Sequence, residues 1–254
     1  MIGRLIDYPG PLWRPYAVLA NFLVVLWVII GGPVVILLCL SGKRAWTTFG
    51  VTNWNRVVVR IFRLKLSAKI DPSYDPKKPC LLACNHQSHI DIPIIFEALS
   101  GHVRMLGKKE LFRIPIFGQA LTMAEFIPVD RGNREAGREV TKKISRLINS
   151  GLQVWLAPEG TRSPDGKLQA FKSGSFSVAI EAKVPIQPLV VKNAHRILAK
   201  GEYLVKIGST LEFEALPQII HDGDSKDNRR HLAEMTRVAI AACLDDYNSK
   251  NPQP

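Results

Sequence analysis

Cys80-Leu81-Leu82-Ala83-Cys84-Asn85-His86-Gln87-Ser88-His89-Ile90-Asp91-Ile92-Pro93 reads as a buried strand, a turn and the start of a helix. The apolar run 80–85 is short and follows a turn-rich loop, as an internal strand of a parallel sheet does. Proline is tolerated in a helix only in the first turn, so Pro93 puts the helix start close to Asp91. That junction decides what the polar residues can do. On an uninterrupted helix, positions five apart are rotated by about 140°, and His86 and Asp91 would not meet. A strand end followed by a turn lets them meet, and a carboxylate at a helix start stays ionised and suits an imidazole N–H. A histidine held this way keeps one tautomer and gains basicity, which makes it a general base for a hydroxyl. Two other readings stand beside this one. His86 and Asp91 are then a structural histidine and an N-cap, or His86, His89 and Asp91 are metal ligands, a tight set with no second cluster.

Outward from this junction, short apolar runs alternate with helical patterns. Strands are expected at 64–70, 80–85, 103–107, 125–129, 153–157, 186–192 and 203–207, and helices at 92–100, 133–149, 175–183 and 229–247. The alternation predicts an α/β fold, a mostly parallel mixed sheet flanked by helices, with the ligand crevice at the carboxyl ends of the strands.

The second segment of interest, Pro158-Glu159-Gly160-Thr161-Arg162-Ser163, follows the run 153–157 and so falls at the same edge. Gly160 lets backbone approach closely and, with Thr161, offers N–H and hydroxyl donors; the planar fork of Arg162 fits phosphate oxygens. Glu159, an acid beside an anion site, is read as holding a basic neighbour or a substrate hydroxyl. Asp130-Arg131 ends another strand and offers a second cation, or else a surface ion pair; Lys108 and Lys109 follow a strand similarly. A Gly-x-Ser-x-Gly elbow is absent from the sequence, and Cys84 reads as a small core residue rather than a nucleophile, so the attacking group belongs to a substrate.

Composition bears on where this happens. The 254 residues are enough for one catalytic domain, and the net charge of +12 points to an anionic partner. Residues 18–40 are apolar except for Asn21. As one helix this segment is about 35 Å long, against a hydrocarbon core of roughly 30 Å. Gly31-Gly32-Pro33 sits inside it, which suggests a kinked span or a re-entrant hairpin. Residues 46–62 carry apolar residues at helical spacing among arginines, the pattern of an amphipathic helix lying on a membrane interface. Seven basic residues and no acidic one lie between Ser41 and Ile70, a block that attracts anionic lipid head groups and places the enzyme domain in the cytoplasm. The expected organisation is membrane-anchoring helices over 1–62 and a catalytic domain over 63–254, at the cytoplasmic membrane. No nucleic-acid motif of the usual spacings appears. The four cysteines show neither metal spacing nor a disulfide framework.

Together the segments resemble the glycerolipid acyltransferase family. Asn85-His86-Gln87-Ser88-His89-Ile90-Asp91 matches its His-x4-Asp block, and Phe126-Ile127-Pro128-Val129-Asp130-Arg131 resembles its second block. Ala157-Pro158-Glu159-Gly160-Thr161-Arg162-Ser163 matches the third and Val184-Pro185-Ile186-Gln187-Pro188 the fourth. Ala157 in place of phenylalanine, Gln187 within an apolar block and Pro128-Val129 in the second block are departures. The resemblance implies that His86 deprotonates an acceptor hydroxyl, Asp91 orients it, and Arg131, Glu159, Gly160 and Arg162 bind a glycerol phosphate. Lys108 and Thr161 are added from their places in the crevice. It further implies transfer from acyl-CoA or acyl-carrier protein to the sn-2 hydroxyl of lysophosphatidate in a membrane, with no metal and no prosthetic group. Glycerol-3-phosphate, another lysophospholipid or a lyso-aminolipid as acceptor is the alternative within the family. A non-catalytic membrane lipid-binding protein is the alternative outside it.

Overall fold

Leu81, Leu82, Ala83 and Cys84 are all fully buried, and they form β2 (Leu81–Cys84), the middle strand of the sheet. In the computed structural model, residues 13–99, 101–130, 134–221 and 228–251 are described. The chain opens with helices α1 (Trp13–Leu40) and α2 (Arg44–Ile61), followed by strand β1 (Lys65–Ile70) and then β2. Helix α3 (Asp91–Ala98), β3 (Val103–Lys108), α4 (Phe117–Met123), β4 (Ile127–Val129), α5 (Arg134–Asn149) and β5 (Gln153–Leu156) come next. The rest is α6 (Ser177–Ala182), β6 (Ile186–Lys192), α7 (Ala194–Ile197), β7 (Thr210–Ala215) and α8 (Asn228–Lys250). The strands lie in the order β1-β7-β6-β2-β5-β3-β4, all neighbours parallel except the antiparallel pair β6–β7. This is the expected mostly parallel mixed α/β sheet.

Period-two alternation splits the core in two. Leu82 and Cys84 face one layer with α3 residues Ile94, Ile95 and Phe96, while Leu81 and Ala83 face the other with Ile144, Ile148, Phe176 and Val178. Each such side chain contributes roughly 1.5–3 kcal/mol when fully buried. Because β2 is covered on both faces, its flanking strands β5 and β6 are pinned in register, and the residues that follow β2 and β5 emerge side by side.

Three expectations are corrected. The segment 203–207 is loop: Tyr203 is exposed, and the strand lies instead at Thr210–Ala215, whose alternating burial matches its alternating polarity. The strand expected from Glu125 begins only at Ile127, because Glu125 turns at φ +63° with its carboxylate 3.3 Å from the buried Arg104 guanidinium. Helices α4 and α7 are too short to show a period. Gly118 in α4 is dictated by packing, since a β-carbon there would lie 2.2 Å from the Phe112 carbonyl oxygen.

Helix α1 runs unbroken through Gly31-Gly32-Pro33, without the re-entrant turn the sequence suggested. The glycines serve close approach instead: a β-carbon on Gly32 would meet Ile116 at 2.6 Å, and one on Gly31 would meet the Trp27 ring at 2.8 Å. Ala17, Ala20, Gly31, Gly32 and Val35 are the buried positions of α1, and the Asn21 amide donates to the Tyr203 carbonyl at 2.7 Å. Trp27 Nε1–H donates to the Trp54 carbonyl of α2 at 3.3 Å. Along its other side Phe22, Val25, Ile29, Ile30, Leu37 and Leu40 are exposed, continued on α2 by Trp46 and Phe49. α1 is long and apolar enough to cross a membrane by length and composition.

Candidate active site

At the end of β2 the backbone turns away before the ladder to β6 is complete. Asn85 finishes it with its side chain: its amide N–H donates to the Val191 carbonyl and its Oδ1 accepts from the Val191 N–H, both at 2.9 Å. The chain is then free to reverse at His86. His86 Nδ1 lies 2.8 Å from Asp91 Oδ2, and the same oxygen accepts from the backbone N–H groups of Gln87 at 2.8 Å and Ser88 at 2.9 Å. An ionised carboxylate only accepts, so Nδ1 carries the proton and the Nε2 lone pair is left as the base. Asp91 is fully buried while the His86 side chain is 12% exposed, so the orienting group is sealed and the imidazole opens to the crevice.

The Pro158–Ser163 turn is laced onto this pair. The Ser163 N–H donates to the His86 carbonyl at 2.8 Å, and Gln87 Nε2 donates to the Gly166 carbonyl at 2.8 Å. Gly160 has φ +75°, in the left-handed region that glycine occupies without strain. Thr161 is exposed and Arg162 half-buried. His89, exposed on the turn, has its basicity lowered by burial and then by the charges of Arg162 and His86, which puts guanidinium and imidazole in one electrostatic neighbourhood.

Glu159 holds neither a basic side chain nor an open position. It is 5% exposed, its Oε1 accepts from the His86 backbone N–H at 2.7 Å and its Oε2 from the Gln169 N–H at 3.0 Å. This placement has a simple cause, since β5 runs beside β2 and delivers Glu159 beneath the His86 backbone. Burial pushes its carboxyl up from 4.5 to about 7, against the pull of the two N–H donors. Such a group binds its proton more tightly folded than unfolded. Its contribution to stability is therefore fullest below about pH 4.5, falls as pH rises to about 7, and is level above, the total being about 3 kcal/mol at most. Glu159→Gln should flatten this slope. Urea midpoints of both chains at about pH 5 and about pH 8 check it, and equal slopes would refute the assignment.

Of the remaining expected residues, Lys108 is exposed with its ammonium 3.6 Å from Glu110, and Lys109 pairs with Asp130 at 2.5 Å. Arg131 lies outside the described residues. Cys84 is no nucleophile: its thiol is fully buried, its pKa is raised well above the usual value by that burial, and it lies 3.5 Å from Asn85 Oδ1. Among the described residues no three His, Cys, Asp or Glu side chains are grouped to hold a metal ion.

Sequence reading missed two neighbours of the pair. The Trp155 ring of β5 meets the imidazole edge-on, centroids 6.1 Å apart at 86°, and its buried Nε1 finds no acceptor among the described residues. Period-two counting back from Glu159 along β5 could have flagged it. Lys172, fourteen residues beyond Pro158 in the loop after the turn, donates its backbone N–H to the Pro158 carbonyl at 2.9 Å.

A histidine–carboxylate pair at the carboxyl ends of parallel strands, beside an arginine-bearing turn, is an α/β site equipped to activate a bound hydroxyl without a protein nucleophile of its own. The chain belongs to the acyltransferase family, whose model matches residues 65–192, from the start of β1 to the end of β6. It is 31% identical over 184 residues to a 1-acyl-sn-glycerol-3-phosphate acyltransferase of Haemophilus influenzae, covering 72% of this chain and 75% of that one. It is 29% identical over 190 residues to the sheep 1-acyl-sn-glycerol-3-phosphate acyltransferase alpha, covering 74% of this chain and 66% of that one. Against the Brassica napus chloroplastic enzyme BAT2 it is 34% identical over 130 residues, 51% of this chain and 37% of that one. The chain thus spans about two thirds of the sheep relative and well under half of the plant one. The fold is shared with the crystal structure of the 1-acyl-sn-glycerophosphate acyltransferase PlsC of Thermotoga maritima, at TM-score 0.79 and 18% identity over 92% of this chain and 95% of that one.

Proposed function

We propose that this chain is a 1-acyl-sn-glycerol-3-phosphate acyltransferase, moving an acyl group from acyl-CoA or acyl-carrier protein to the sn-2 hydroxyl of lysophosphatidate to give phosphatidate. The observation that carries it is the 2.8 Å contact of His86 Nδ1 with the sealed Asp91, which leaves Nε2 as a base next to the arginine-bearing turn. In this mechanism Nε2 takes the proton of the acceptor hydroxyl as the oxygen attacks the thioester carbonyl, and the imidazolium returns it to the leaving thiolate. Asp91 balances the positive charge on the ring between those two steps. Arg162, with Gly160 and Thr161, binds the phosphate, joined by Lys108 and Arg131. Glu159 acts from below, holding the His86 backbone in place. The reaction so written needs no metal or prosthetic group, because each proton and bond is accounted for by His86, the hydroxyl and the thioester.

We further propose that residues 1–62 anchor the catalytic domain of residues 63–254 to the cytoplasmic membrane, the domain facing the cytoplasm. The exposed apolar side of α1 continues onto Trp46 and Phe49 of α2, and arginines and lysines follow at once. The contacts of α1 with the globular domain at Asn21 and Gly32 favour α1 and α2 seated together in one leaflet over a free-standing span. Protease access to an N-terminal tag from each side of a sealed vesicle separates the two.

The test of function is a panel of acceptors offered to the full chain in membranes with a fixed acyl-CoA, and with acyl-carrier protein in parallel. Lysophosphatidate is expected to give the highest kcat/KM. A higher value for glycerol-3-phosphate, another lysophospholipid or a lyso-aminolipid would reassign the acceptor, and binding without turnover of any acceptor would overturn the reading.

A further inference from the structure

The anion-binding turn carries one cation that the motif does not contain. Lys172 follows the loop that leaves Pro158–Ser163, and its backbone N–H is tied back to the Pro158 carbonyl at 2.9 Å. Its Nζ, Cε and Cδ lie 2.6, 2.9 and 3.3 Å from the place a β-carbon on Gly160 would take, so the side chain is folded onto the bare face of that glycine. Lysine gives up roughly 1.5–2 kcal/mol of rotamer freedom when its stem is fixed in this way, which calls for a compensating contact at the charged end. Among the described residues none is present. No hydrogen bond or ion pair among the described residues engages the ammonium, and the nearest acid of the turn, Glu159, has both oxygens taken by the His86 and Gln169 N–H groups.

Two further cations belong to this turn. Arg162 is two residues from Gly160, and Lys200 reaches the Arg162 carbonyl with its Nζ at 3.2 Å. Cations held near one another favour an anion that joins them. A phosphate group has the right chemistry, with several oxygens and up to two negative charges. The Arg162 fork suits two of those oxygens and a lysine ammonium adds a point charge on a third.

We propose that Lys172 is a further phosphate-binding cation of this site, acting with Arg162 on a phosphate ester of one substrate. The inference rests on the reading of the site as acylating a phosphorylated lipid with a thioester donor. Two phosphates are then available, the phosphomonoester of the acceptor and the diphosphate of a CoA donor. The Gly160 contact accounts for the glycine from a second direction, because any side chain there would displace the lysine stem as well as strain the backbone.

The test is steady-state kinetics of the full chain, wild type against Lys172→Met, Lys172→Gln and Lys172→Arg, using the acceptor that the wild type turns over best. Absence of any wild-type turnover would count against the function and would be seen before a variant is made. Given wild-type activity, the neutral variants are expected to raise KM for a phosphate-bearing substrate roughly 10- to 100-fold, with kcat changed by less than about threefold. Lys172→Arg should recover most of the loss. A rise for the acceptor alone assigns the acceptor phosphate. A rise for acyl-CoA that vanishes with an acyl N-acetylcysteamine thioester, which has no phosphate, assigns the donor diphosphate. KM values unchanged within about threefold for both substrates overturn the proposal, as does an equal loss with the phosphate-free donor and an unphosphorylated acceptor. Lys172 is exposed, so the thermal midpoints of all four chains should coincide. If one neutral variant unfolds, the other decides.

Discussion

His86→Ala is expected to lower kcat by roughly 10²- to 10⁴-fold, or about 3–5 kcal/mol of barrier, with the fold intact. The structure separates what the side chain does from what the backbone does at this residue. The two cross-links through His86 are made by its main chain, with N–H to Glu159 and C=O from Ser163, and alanine keeps both. Asp91 loses one of three donors and retains the Gln87 and Ser88 N–H groups, so the buried carboxylate stays satisfied. What disappears is the Nε2 lone pair facing the crevice. KM for both substrates should therefore hold while turnover falls. Thiol release from acyl-CoA in the presence of lysophosphatidate measures it directly, and a rate within about tenfold of wild type would falsify the base assignment.

Asp91→Asn is expected to cost on the order of 10²- to 10⁴-fold in kcat as well, by a different route. Oδ2 accepts three N–H bonds in a fully buried place, and Oδ1 has no partner among the described residues. An asparagine that presents its carbonyl to the three donors keeps the hydrogen bonds but no longer balances an imidazolium. One that presents its NH2 meets three donors with two more, and relief comes only if His86 moves its proton to Nε2, which removes the base. Either outcome slows the chemical step. Asp91→Ala is a worse instrument, because it leaves three buried donors unpaired and should destabilise the chain by about 3–5 kcal/mol. A comparison of kcat and urea midpoint across the two variants separates the contributions. If Asp91→Asn turned over at near wild-type rate, the aspartate would be an N-terminal helix residue and no more.

The pairing of His86 with Asp91 was legible because it is local. Five residues, one proline and the shape of a strand–turn–helix junction settle it, and no distant contact is needed. The strands that failed are the ones whose pattern competes with a local turn. Residues 203–207 look apolar enough for a strand, yet Gly201 and Gly208 at φ +95° and +77° bracket them in loop, and pairing goes to Thr210–Ala215. The partners of Glu159 were illegible for a non-local reason. In the sequence it stands next to Gly160 and Arg162, and only the adjacency of β5 to β2 turns its carboxylate under the His86 backbone.

By itself the sequence determined the mostly parallel α/β class from the alternation of strand and helix patterns, and the long apolar N-terminal segment, the His86–Asp91 pair and the arginine-bearing turn from residues close together along the chain. Tertiary structure alone decided which groups meet across the sheet. It brought Trp155 against the imidazole, Glu159 beneath it, Asn85 onto Val191, Lys172 onto Gly160 and Gly32 of α1 onto Ile116. The division has one physical cause. Steric limits on neighbouring residues act along the chain and can be read from it, whereas strand order is set by how the helices on both faces bury their apolar sides, and that depends on the whole sequence at once.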